Sequence, residues 1–281
     1  MKLVLMGDLH FHGLDEGVPG WLEASDAFYR TLLGRFLEVD ADVHIALGDL
    51  TNYGTATELR NVYKLLENKE RTFYQVLGNH DLYAQTRNEV LQITGQARYH
   101  SIETERAVLA FLDTAKEMDY ADWGGHVDEE QLQWLEGVVR ASGTKPLLVF
   151  AHHPVFNTTK GSDAEKGSIH PDIDMWQVLG QKQGTGIYFN GHTHVDSIVR
   201  QKNWTFVQLS ACLDQQAFRI VEVGQEEIRI SALDVADEIL TKHAPVLHKH
   251  MNHFTPNPDA RGKELEREGT ISLRTAVNQE V

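Results

Sequence analysis

Short apolar runs recur along the first part of the chain, each ending in a polar cluster: residues 3–6, 43–47, 72–77, 107–112, 146–151 and 186–189. They are too short to be ordinary helices. Most are rich in Val, Ile, Leu or Phe, which predicts strands buried on both faces. Segments with helical periodicity lie between several of them. Residues 24–37 put Phe28, Leu32, Leu33 and Phe36 on one face, and 55–68 open with Thr55 and Glu58 in a capping-box pattern. Residues 128–141 start at Asp128, a fitting N-cap, and carry Leu132, Leu135 and Val139. Strands alternating with helices predict a layered α/β architecture.

After Asn190 the pattern changes. Residues 196–201, 204–208, 218–223 and 227–232 read as strands joined by short turns, and so as an antiparallel second sheet packed against the first with helices outside. From about Ala244 the chain turns polar, and Thr255-Pro256-Asn257-Pro258 breaks regular structure. The expected organisation is a domain over 1–243 followed by an extension or oligomerisation arm over 244–281.

Composition narrows the function classes. The formal net charge of -15 argues against a surface that tracks a nucleic-acid polymer, which needs clustered Lys and Arg. No apolar run approaches the roughly 20 residues of a membrane span, and the N-terminal run lacks the shape of a signal peptide. The single cysteine, Cys212, rules out an intramolecular disulfide and a cysteine-based zinc site. It is expected to be a small buried hydrophobe in a chain of the cytoplasm.

The chemistry sits at the strand ends. Asp8 and His10 follow the first run, Asp49 the second and Asn79-His80-Asp81 the third. His152-His153-Pro154 follow 146–151, and His192 and His194 follow 186–189. The i, i+2 spacing of Asp8 with His10, and of His192 with His194, puts each pair on one side of an extended segment. Five strands thus deliver donors at their C-terminal ends, expected along one sheet edge. Asp8, His10, Asp49, Asn79, His152, His192 and His194 form a mixed nitrogen and oxygen set without sulfur. Such a set suits manganese or iron, and also zinc. It is too large for one tetrahedral ion and right for two divalent ions sharing a carboxylate. Gly7, Gly48, Gly78 and Gly191 fit turns where backbone must approach closely.

In this order the five blocks Gly7-Asp8-Leu9-His10, Gly48-Asp49, Gly78-Asn79-His80-Asp81, His152-His153-Pro154 and Gly191-His192-Thr193-His194 resemble the calcineurin-like metallophosphoesterase family over about residues 1–232. Gly48-Asp49-Leu50-Thr51, Leu112-Asp113-Thr114 and 129–135 also resemble its bacterial cyclic-nucleotide and glycerophosphodiester phosphodiesterase branch. Asn52 stands where the purple acid phosphatases of the family carry a tyrosine ligand, which points away from that subfamily. The resemblance implies a four-layer α-β-β-α sandwich of two mixed sheets packed face to face. It implies Asp8, His10 and His194 on one ion, Asn79, His152 and His192 on the other, and Asp49 bridging. It implies that His80, oriented by Asp81, assists catalysis, and that a hydroxide held between the ions attacks a phosphodiester of a small phosphorylated substrate. A phosphomonoesterase and a non-catalytic metal-binding scaffold are the competing readings. His12 is expected at the surface, and His153 either near substrate or behind the ligands. The tail histidines His243, His248, His250 and His253 read as a polar arm in preference to a third metal site.

Overall fold

Strand β1 (Lys2–Met6) shows how this sequence builds layers. It is buried from Leu3 onward, and successive side chains of a strand face opposite sides. Leu3 and Leu5 therefore enter one apolar core, while Val4 and Met6 enter another. The computed structural model describes residues 1–13, 17–67 and 70–273. The last residue of the expected helix 55–68, part of the loop 11–21 and residues 274–281 of the tail lie outside the described residues.

In chain order the next strands are β2 (Val43–Ala46), β3 (Phe73–Gln75), β4 (His100–Glu103), β5 (Val108–Phe111) and β6 (Leu147–Phe150). Then follow β7 (Gly186–Asn190), β8 (Ser197–Gln201), β9 (Trp204–Gln208), β10 (Ala217–Val223), β11 (Glu227–Asp234) and β12 (Gly269–Ser272). They form two six-stranded mixed sheets, ordered β12-β11-β10-β1-β2-β3 and β4-β5-β6-β7-β9-β8. Leu3, Leu5 and Ile45 of the first sheet meet Phe111, Phe150 and Phe189 of the second in a shared core. The rings of Phe111 and Phe150 stack at 5.0 Å, and those of Phe150 and Phe189 at 5.3 Å, across the parallel strands β5, β6 and β7.

The outer faces carry helices. On the first sheet lie α1 (Trp21–Glu38), α2 (Ala56–Leu66) and, later in the chain, α6 (Glu238–His250). Helix α4 (Glu129–Ala141) and the short α5 (Met175–Leu179) cover the second sheet. The sandwich is therefore the four-layer α/β architecture expected. The capping box of α2 forms as read, with Thr55 accepting from Glu58 N at 3.2 Å and Glu58 accepting from Thr55 N at 3.1 Å. Asp128 caps α4 by accepting from Gln131 N at 2.9 Å. Helix α3 (Arg87–Thr94) carries a second capping box, Thr86 with Glu89.

The four closing strands do not make a separate antiparallel sheet. β8 and β9 complete the second sheet, with β9 parallel to β7, while β10 and β11 extend the first, with β10 antiparallel to β1. Each pair covers an edge that would otherwise leave unpaired backbone groups exposed. The ligand-bearing strands likewise belong to two sheets: β1, β2 and β3 to one, β6 and β7 to the other. Their C-terminal ends meet across the seam of the sandwich, not along one sheet edge.

After β11, α6 packs Leu240, Ala244 and Leu247 into the core beneath α1, and Met251 and Phe254 continue that contact. β12 then pairs with β11. No described helix is long and apolar enough to cross a membrane.

Candidate metal centre

Each predicted ligand stands just past a strand end, where the chain turns sharply. β1 stops at Met6 and β7 at Asn190, so His10, His192 and His194 lie beyond the extended segments. His10, Asp49, His192 and His194 have φ of 48°, 46°, 75° and 56°. Left-handed backbone at a residue with a side chain costs of order 1–3 kcal/mol and persists only when its surroundings over-determine it. Those surroundings are visible. His10 N donates to Asp49 O at 2.8 Å, Tyr29 Oη donates to His10 O at 2.6 Å, and His192 N donates to the Asp8 carboxylate at 3.0 Å. The i, i+2 pairs thus reach the site through strained turns and not through strand geometry.

Two glycines show how tightly the carboxylates are cradled. A Cβ on Gly78 would stand 2.1 Å from Asp49 Oδ1, and one on Gly191 would stand 2.3 Å from Asp8 Oδ2. Only a residue without a Cβ fits either place.

The seven donors come together. His10 Nε2 lies 3.1 Å from His194 Nε2, and His194 Nε2 lies 3.5 Å from Asp8 Oδ1. On the other side His152 Nε2 lies 3.1 Å from Asn79 Oδ1 and 3.2 Å from His192 Nδ1. Asp49 Oδ2 stands between the groups, 3.9 Å from His10 Nε2 and 3.3 Å from His152 Nε2. Two clusters able to hold an ion result: Asp8, His10, Asp49 and His194, and a second containing His152, His153 and His192. This is the arrangement of a binuclear site.

Outer contacts choose the nitrogen that faces inward. His152 Nδ1 donates to Leu47 O at 2.8 Å, which leaves Nε2 free to coordinate. His192 Nε2 donates to Lys166 O at 2.9 Å, leaving Nδ1. Asn79 Nδ2 donates to Tyr83 Oη at 2.8 Å, which turns Oδ1 toward His152. His153 differs, because both its ring nitrogens are engaged, with Thr114 Oγ1 at 2.9 Å and Trp123 O at 2.9 Å. Its ring lies 4.2 Å from that of His192.

The electrostatics are those of a site that draws in positive charge. Burial alone would raise Asp49, yet the imidazoles of His152 and His80 outweigh it and hold its carboxyl well below the usual range. Burial opposes protonation of His152, but Asp49 and Asp8 prevail and lift it to about 9. His192, desolvated and beside His152, falls to about 4, and burial with neighbouring His80 depresses His10. His10 Nδ1 is buried without a hydrogen-bond partner. Imidazole nitrogens that converge within 3.2 Å beside two carboxylates form a pocket in which a cation can replace the protons held by His152 and His194. The donor set and its glycine cradle fit a pair of divalent ions.

Around the donors the structure redistributes several roles. His80 Nδ1 is held by Asn52 O at 2.8 Å, and its Nε2 lies 4.0 Å from Asp49 Oδ2. The expected orienting contact from Asp81 to His80 is not made. Asp81 is fully buried and accepts instead from Thr51 N at 2.9 Å, Thr51 Oγ1 at 2.8 Å, Gln75 Nε2 at 3.1 Å and Gly78 N at 3.1 Å. Adjacent side chains in the tight turn 80–82 diverge, so Asp81 clamps the β2 and β3 ends together and does not touch its neighbour's ring. His12 is also buried, against Glu58 at 3.2 Å, and not at the surface. Cys212 is buried as expected, and burial pushes its thiol up.

Residues far along the chain complete the surroundings unforeseen. Phe254 stacks on His194 at 5.3 Å and meets His10 edge-on at 5.0 Å, while Asn257 Nδ2 donates to His194 O at 3.2 Å. Of the tail histidines, His253 lines the cleft over the donors, and among the described residues no third metal cluster forms. No local pattern around Phe254 announces this role. For Tyr83 a signal existed, since a residue four positions after Asn79 lies beside it in a helical turn.

A family model described as Calcineurin-like phosphoesterase matches residues 1–196. A "Probable cyclic nucleotide phosphodiesterase" of Rhodopseudomonas palustris is 27% identical over 205 residues, covering 69% of this chain and 72% of that protein. A "Probable glycerophosphodiester phosphodiesterase" of Arcobacter nitrofigilis is 25% identical over 205 residues, with the same coverage of each chain, 69% and 72%. Homology thus reaches bacterial phosphodiesterases without selecting a branch. In fold, the chain is similar to a dimetal phosphatase from Danio rerio, with a TM-score of 0.67 and 15% identity over 83% of this chain and 96% of that one.

Proposed function

Since the chain belongs to the calcineurin-like phosphoesterase family, we propose that it hydrolyses a phosphodiester of a small substrate, of cyclic-nucleotide or glycerophosphodiester type. The observation that carries this reading is Asp49 Oδ2, standing between two sets of converging donors at the seam of the sandwich. Asp8, His10 and His194 would hold one ion, Asn79, His152 and His192 the other, and Asp49 both. Manganese or iron suits this mixed set, and zinc is also compatible. Such a pair supplies Lewis-acid charge for the phosphoryl oxygens and an activated water near neutral pH.

The chain's own residues do the rest. Asn52 O fixes Nδ1 of His80, so Nε2 is presented to the cleft beside Asp49. Burial lowers this imidazole from its ordinary value while Asp49 opposes that, and when protonated Nε2 donates its proton to the departing alkoxide oxygen. Asp81 is a positioning residue, tying the turn that carries Asp49 to the turn that carries Asn79 and His80. Tyr83 aims the Asn79 carbonyl. Hydrolysis of bis-p-nitrophenyl phosphate and p-nitrophenyl phosphate by protein loaded with Mn²⁺, alongside metal analysis, tests the reading. Two bound ions with faster turnover of the diester are expected. A faster monoester would make the chain a phosphomonoesterase, and bound ions without turnover of either would make it a scaffold.

A further inference from the structure

Beyond the donors, the cleft of about 640 Å³ is lined by aromatic rings from separate stretches of chain: Tyr83 after β3, Tyr120 and Trp123 after β5, and His253 from the tail. Exposed large apolar side chains are normally scattered. Here Tyr120 is 49% and Trp123 43% exposed, and both open into the same cleft as Asp49 and His80. Tyr83 connects the two halves. Its hydroxyl accepts from Asn79, its ring lies 4.7 Å from His80, and the ring stacks on Tyr120 at 4.2 Å and 21°. His253, at φ 59°, stands 5.3 Å from Tyr53 and 6.2 Å from Tyr120.

The charge of this wall is as informative as its shape. No Lys or Arg side chain is among the described residues lining the cleft. The nearby Lys166 ammonium is engaged over the Trp123 ring at 4.3 Å and with Ala121 O at 2.8 Å. The wall formed by Tyr83, Tyr120, Trp123 and His253 is therefore aromatic, with Lys166 behind Trp123 as its neighbouring cation. A planar, uncharged ring would find faces to stack on, and offset-stacked or edge-on contacts with aromatic side chains are favourable for any base-like ring.

Building on the phosphoesterase reading, we propose that Tyr120, Trp123 and His253 form a subsite that takes a planar aromatic or heteroaromatic group of the ester, with Tyr83 positioning Tyr120. The subsite favours an ester bearing such a ring over a glycerol ester.

The probes are phenylphosphonate and methylphosphonate, two non-hydrolysable monoanionic or dianionic ligands that differ only in the ring. Their binding to the full chain loaded with Mn²⁺ is measured by calorimetry. Wild type is expected to bind the phenyl compound about tenfold more tightly, the size of one aromatic stacking contact. Tyr120→Ala and His253→Ala should each reduce that ratio toward unity, and Tyr120→Phe should keep it. Both replaced residues are exposed, and circular dichroism confirms that each variant is folded. Equal binding of the two probes by wild type, or a preference that survives both alanine variants, overturns the subsite while the phosphoesterase reading stands. Binding of neither probe, together with no hydrolysis of bis-p-nitrophenyl phosphate, overturns both.

Discussion

Two buried charge clusters lie a few residues apart in this molecule and are built on opposite terms. In one, Asp196 accepts from Arg219 at 2.7 Å and from Arg267 at 3.0 Å, and Arg267 also binds Asp234. Asp196 further accepts from Ser210 N at 2.9 Å, and Arg219 donates to the Arg267 carbonyl. Carboxylates face guanidiniums, so charge is balanced within the chain. In the other cluster, Asp8 and Asp49 face imidazoles whose ring nitrogens converge to within 3.2 Å of one another. There the carboxylates are met by protons on His152 and His194, which a bound cation can replace. A buried network of fixed carboxylate–guanidinium pairs holds β10 and the tail in place, whereas a cluster of donors held by left-handed turns is arranged so that a cation can enter it. Strain and replaceable protons mark the candidate metal centre, and fixed ion pairs mark the structural cluster.

The largest effect is expected from Asp49→Ala. Hydrolysis should fall to background, beyond the roughly 10²–10⁴-fold attached to a single general acid, and metal analysis should find the ions lost. Added Mn²⁺ should raise the melting temperature of wild type, because a ligand of the folded state stabilises it by mass action, and should leave that of Asp49→Ala unmoved. Retention of two ions by this variant would sink the bridging assignment.

Next comes His80→Ala, expected to keep both ions while turnover slows by about 10²–10⁴-fold. Unchanged turnover in the metal-loaded variant would remove His80 from the chemistry.

The structural cluster should respond differently. Arg267→Ala leaves Asp196 buried with one guanidinium fewer, a loss of about 3–5 kcal/mol in urea denaturation for a broken buried pair. That loss should be the same with chelator present as without it. A loss confined to metal-loaded protein would show the two clusters to be one system.

Smallest is a pH effect at Asp234. Hydrogen bonding to Arg267, with Arg261 assisting, holds its carboxyl at about 2, below the ordinary 3.8. Its contribution to stability is therefore complete above the ordinary value and lost as pH falls toward about 2. Asp234→Asn should flatten that part of the acid denaturation curve, by less than about 1 kcal/mol because the side chain is half exposed and screened.

Much of the donor site is legible in the linear chain. Aspartate, asparagine and histidine directly after short apolar runs announce chemistry by residue type, and Gly78 and Gly191 announce close approach. Other features follow from contacts between residues far apart in sequence. Asp81 adjoins His80 in the chain yet clamps Thr51, Gln75 and Gly78, because neighbours in a tight turn point apart. Phe254 and His253 arrive from a stretch whose composition reads as a polar arm. β8 and β9 look like β10 and β11 in pattern, but which sheet each pair joins depends on which strand edge is open.

The sequence by itself determines the inventory: strands buried on both faces, a donor set without sulfur, glycines where a Cβ has no room, and the order that resembles one enzyme family. Residue chemistry and local periodicity are enough for these. Only the tertiary structure decides that the donors come from two sheets and meet at their seam, which nitrogen of each imidazole faces inward, and that rings from separate stretches wall one cleft. Those outcomes depend on how layers pack and on backbone carbonyls such as Leu47 O and Lys166 O, whose positions no local pattern encodes.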